Sequence, residues 1–82
     1  MKNYTAVLNF EKKGVSLEFA DFPGCALVGN NANWVKENAP STLAEHVWRM
    51  RSSGHYIPDP APYWKVVSDN TDAHGFFSVV ID

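Results

Sequence analysis

Eighty-two residues, with 45% hydrophobic and 13% aromatic side chains against 20% charged ones, supply one packed domain and exclude a disordered chain. A domain of this size buries only about 60 to 65% of its unfolded surface, so association with another chain is expected. Seven Lys and Arg against nine Asp and Glu give a formal net charge of −2, the wrong sign for holding nucleic acid through its phosphates. The expectation is no direct nucleic-acid binding, and a basic protein as partner. The single Cys25 excludes an internal disulfide framework, and no charged leader followed by an apolar run opens the chain. No apolar segment approaches the roughly 20 residues that span a bilayer. A cytoplasmic protein without membrane attachment is predicted.

From Tyr4 to Phe10, "YTAVLNF" sends Tyr4, Ala6, Leu8 and Phe10 to one face and Thr5, Val7 and Asn9 to the other, the period of a strand. "EKKG" supplies a charged turn. "VSLEFAD" then alternates again, with Val15, Leu17 and Phe19 opposite Ser16, Glu18 and Ala20, which predicts a hairpin. "FPG" interrupts, a short third strand runs over Cys25 to Val28, and Gly29 with two asparagines ends it. A helix is predicted from about Asn31 to Ser52, capped by Asn30 or Asn31, with a core stripe of Val35, Ala39, Leu43, Val47 and Met50. Pro40 either kinks it or opens its main part after a looser turn. Gly54 is the natural left-handed residue after its end, with Arg49 and Arg51 set against the helix dipole. Pro58, Pro60 and Pro62 dictate an extended connector. "YWKVVSDN" reads as one or two helical turns, and "FFSVVID", rich in aromatic and β-branched residues, as a final strand. The fold class is α+β, a small three- to four-stranded sheet with one main helix packed on it, in a single domain over residues 1–82.

The stretch Asp21-Phe22-Pro23-Gly24-Cys25 needs its own explanation, because proline and glycine weaken a strand. Pro23 sets φ near −65° and Gly24 tolerates φ values denied to other residues. Asp21, Pro23, Gly24 and Cys25 are therefore read as a structural corner, with Asp21 bonding the turn's own amides and Cys25 a small buried side chain. His46, His55 and His74 show no metal-ligand spacing with each other or with Cys25, so no metal and no cofactor are predicted. The first strand carries no carboxylate within Tyr4 to Phe10. Glu11 comes at its end, Glu18 and Asp21 follow on the next strand, and Glu37 and Glu45 sit two turns apart on the helix. A two-metal nuclease needs acids converging on ions about 4 Å apart, so no enzyme is predicted. Trp34 and Trp48 fall about 100° to 140° from the Val35 side of the core stripe. With Glu18, Glu37 and Glu45 they are the candidate partner-binding residues; the alternative is that the tryptophans fold over the sheet edge or onto the connector beside Trp64.

The hairpin "YTAVLNFEKKGVSLEFADFPGC", the Asp21 to Cys25 corner, Gly29 before a helix and "SGHYIPDP" after it together resemble the HicB antitoxin family. The resemblance covers nearly the whole chain. It implies a partial ribonuclease H-like β-β-β-α-β fold, without catalysis, that binds a small basic HicA toxin, an mRNA-cleaving protein, and covers its catalytic histidine. Many members continue into a DNA-binding helix-turn-helix or ribbon-helix-helix segment, whereas this sequence stops at Asp82 and no DNA-binding element is expected in it. The family's common Gly-Asp-Thr entry to the helix is Gly29-Asn30-Asn31 here. The second reading is an orphan homo-oligomeric scaffold with the same fold and no toxin partner. The terminal strand and the two tryptophans outside the stripe predict a homodimer or a multiple of it.

Overall fold

The computed structural model describes residues 1–81. Its elements follow in the order β1 (Lys2–Glu11), β2 (Gly14–Phe19), β3 (Ala26–Gly29), α1 (Ala32–Ser52), α2 (Tyr63–Asp69) and β4 (Gly75–Ile81). The strands form one antiparallel sheet in the order β3-β2-β1-β4, with β1 paired to β2 from Ala6 opposite Phe19 to Glu11 opposite Gly14. The last strand thus returns to the far side of the first. Asp82, included in the predicted final strand, lies outside the described residues.

Strand alternation sends Tyr4, Ala6, Leu8, Val15, Leu17, Phe19 and Val79 to one face, where they meet Val35, Ala39, Leu43 and Val47 of α1 in the main core. This helix face is the larger apolar layer. The opposite face is only partly covered: Thr5 and Val7 of β1 are buried there, beside Val66 of α2, and Tyr63 meets Phe76 edge-on at 6.1 Å. We call it the open face. Phe10, whose alternation matches the core face, is 52% exposed. It extends past the helix and stacks on His74, whose Nδ1 accepts a 3.0 Å bond from the Phe10 amide.

Both ends of α1 carry the predicted signals. The Asn31 side chain accepts from the Trp34 amide at 2.8 Å. At the C-terminus His55 N–H donates to the Met50 carbonyl and Gly54 N–H to the Arg51 carbonyl, with Gly54 at φ +77, which is a Schellman motif. Pro40 lies inside one continuous helix. Pro40 is exposed, and having no N–H it leaves the Lys36 carbonyl without its usual helical donor. Nearby, the Thr42 and Ser41 hydroxyls both donate to the Asn38 carbonyl, and the Asn38 amide donates to the Trp34 carbonyl.

Candidate partner-binding surfaces

The corner consists of two successive turns. Phe22 N–H donates to the Phe19 carbonyl at 3.1 Å and Cys25 N–H to the Phe22 carbonyl at 2.9 Å. Pro23 and Gly24 are the central residues of the second turn, and Gly24 at φ +88 meets the type II requirement for a positive φ at that position. The turn drives Phe22 and Cys25 into the core, 1% and 3% exposed. Phe22 packs against Tyr4 at 4.9 Å and edge-on against His46 at 5.7 Å. Cys25 is the last residue of the turn, one position before β3, and burial pushes its thiol above the ordinary range. Phe22 is the corner residue that sequence reasoning left without a role; its apolar side chain inside a turn motif was the available signal.

Asp21 acts differently from the expectation. Its Oδ1 accepts a 3.1 Å bond from the amide of Ala61, forty residues on, rather than from the corner's own amides. The Tyr4 hydroxyl donates to the Pro58 carbonyl at 2.7 Å, and Lys2 pairs with Asp59 at 2.7 Å. These contacts strap the proline connector across one end of the sheet and carry α2 to the open face. Asp21 Oδ2 is buried with no hydrogen-bond partner among the described residues. The residue lines a cleft of about 380 Å³ between the open face and α2, together with Asn9, Glu18, Lys65, Asp69 and Asn70. Three carboxylates against the single ammonium of Lys65, itself bonded to Asp69 at 2.9 Å, make this cleft the acidic part of the surface.

The other candidates lie on the far side of the sheet. Trp34, Glu37, Glu45 and Trp48 occupy one exposed ridge of α1, within about 80° of one another and turned from the core stripe. Trp34 is half-buried, because its ring lies on Gly29 at the end of β3 so closely that a Cβ there would run into it. Trp48 is 67% exposed. Glu45 bonds Arg49 at 3.0 Å, and α1 as a whole carries Lys36, Arg49 and Arg51 against Glu37 and Glu45. The structure therefore separates Glu18 from the helix candidates, and only the Glu18 side is acidic.

The carboxylates do not converge on a nuclease-like centre. Glu11 ends β1, Glu18 points to the open face, and Glu37 and Glu45 stand beyond the opposite layer. Among the described residues no three His, Cys, Asp or Glu side chains are grouped so as to hold a metal ion. No helix in them is long and apolar enough to cross a membrane.

No protein-family model and no curated protein matches the chain. Solved structures do. A chain of the HicA3 and HicB3 toxin-antitoxin complex superposes with a TM-score of 0.78 at 21% identity, over 98% of each chain. The N-terminal domain of the Burkholderia pseudomallei antitoxin HicB gives 0.79 at 13% identity, again over 98% of both. The antitoxin HicB3 gives 0.76 at 22% identity, and there the match spans 98% of this chain but 62% of the longer one. With sheet order, main helix and corner all in place, this chain has the fold of the HicB antitoxin N-terminal domain.

Proposed function

We propose that this chain, acting as one domain in the cytoplasm, is a non-catalytic antitoxin that binds a small basic HicA-type mRNA-cleaving toxin and keeps RNA from it. The observation that supports this most directly is the acidic cleft on the open face of a HicB fold: Glu18, Asp21 and Asp69 border an exposed, incompletely covered sheet surface. A basic, RNA-binding surface is complementary to it in charge, and occlusion needs no catalytic group. Glu18 is the contact residue of first choice, with Trp34 an apolar contact at the β3 end of the domain. The Glu37, Glu45 and Trp48 side of α1, with its surplus of basic residues, suits a basic toxin less well.

Co-expression with the small basic protein encoded beside it, co-purification and an RNA-cleavage assay test this reading. A stable complex with suppressed cleavage, formed faster at low salt and weakened by Glu18→Lys, is the expected result. Absence of any complex would sink it. A second reading, a self-associating scaffold without a toxin, is favoured by β4, a sheet edge with no charge and no proline.

A further inference from the structure

Along the flank of α1 that overhangs β4, the exposed residues Glu37, Pro40, Ala44, Trp48 and Arg51 recur at spacings of three and four, within about 80° around the helix. The last four border a groove against Val80 and Ile81. Lys36 Nζ lies 6.0 Å from the Phe77 ring and Ala44 borders Val80 and Ile81, so α1 runs beside β4 in the same direction and Ala44 stands by the C-terminal end of the strand. The stripe is its own complement. Glu37 and Arg51 each lie seven residues from Ala44, and Pro40 and Trp48 each lie four. A two-fold axis through Ala44 sets Glu37 of each copy opposite Arg51 of the other, and packs each Trp48 on the other's Pro40. Neither Glu37 nor Arg51 has an ion-pair partner among the described residues. The small Ala44 at the centre permits helix axes to approach to about 8 to 10 Å.

The sheet edge beneath this flank is also unprotected. β4 is an edge strand of seven residues without a charge or a proline, whereas the other edge, β3, has four. Such an unprotected edge is a template for pairing, and antiparallel pairing with a second β4 brings no like charges together. We infer that the α1 flank, with the C-terminal end of the β4 edge beneath it, forms one self-complementary wall through which two copies of this chain pair about the axis at Ala44. This names the surface for the self-association expected from the sequence and does not depend on a toxin. A flank about 21 Å long from Glu37 to Arg51, on a domain 19 Å across its shortest axis, places the pair at or below the low end of specific interfaces, on the order of 1,000 Å² in total. The dimer is accordingly reversible.

The test is sedimentation equilibrium of the whole chain at high micromolar concentration, with folding checked by circular dichroism. The wild type is expected at twice its 9.2 kDa. Glu37→Arg or Arg51→Glu alone puts like charges across the axis and weakens pairing on the order of tenfold to a hundredfold. The double charge swap restores it, Ala44→Arg abolishes it, and Val28→Lys beside the opposite edge leaves it unchanged. A monomeric wild type overturns both the pairing and the expected self-association. A dimer indifferent to Ala44→Arg and to the single swaps, or one broken by Val28→Lys, overturns the assigned surface while leaving self-association standing.

Discussion

Removing the Asp21 carboxylate tests how the proline connector is held. In Asp21→Ala the Ala61 amide, partly buried and now bonded to Oδ1 at 3.1 Å, loses its acceptor, at a cost of about 1 to 3 kcal/mol. For a domain of this length each kcal/mol corresponds to a fall in Tm of roughly 4 to 8 °C. Asp21→Asn keeps an oxygen acceptor and replaces the partnerless Oδ2 with a neutral amide, so its loss should stay below about 1 kcal/mol. Tyr4→Phe deletes the bond to the Pro58 carbonyl and should cost about 1 kcal/mol. Because both side chains fasten the same strap, the Ala and Phe changes should couple by about 0.5 kcal/mol or more in a double-mutant cycle. The exposed Lys2 pair with Asp59 should contribute little. Urea denaturation, reading midpoint shifts at constant slope, is the assay. If Asp21→Ala changed stability by less than about 0.5 kcal/mol, the strap would be held by apolar packing of Ile57 and the prolines, and the polar-clamp account would be wrong.

The corner turn predicts that Gly24→Ala costs about 1 to 2 kcal/mol; the loss comes from the positive φ alone, since a Cβ there meets nothing within 4 Å, and an unchanged urea midpoint would refute it. Gly29→Ala should lift the Trp34 ring off β3, seen as red-shifted, more quenchable emission in a background where the other two tryptophans are Phe; unchanged emission would mean that the backbone yields instead. Burial lifts the Tyr4 hydroxyl above its ordinary 10.0 and the Cys25 thiol above its ordinary 9.0. Both groups hold their protons more tightly folded than unfolded, so their contribution is complete below pH 9 and is lost as pH rises through the folded values. The urea midpoint should therefore fall above pH 9, with Cys25→Ala delaying the onset towards pH 10. A midpoint constant up to pH of about 11 would contradict this.

Local chemistry made most of the elements legible in the sequence. Period-two alternation marked β1 and β2, Asn31 and Gly54 marked the ends of α1, and Pro23-Gly24 marked the turn, because each signal acts over a few residues. The core stripe of α1 was legible for the same reason, and the acids of the candidate site were visible as residue types. Sequence periodicity could not say that Asp21 reaches Ala61 across forty residues, or that β4 returns beside β1 instead of extending the hairpin edge. It also grouped Glu18 with Glu37, Glu45 and Trp48, although a whole sheet separates them. What the chain by itself determined was which backbone stretches are strand, turn and helix, since torsional preference and side-chain period are properties of neighbours in sequence. Only the tertiary structure decided which surfaces exist. Surface charge, edge exposure and the route of the connector depend on which face each element buries, and that follows from packing between residues far apart along the chain.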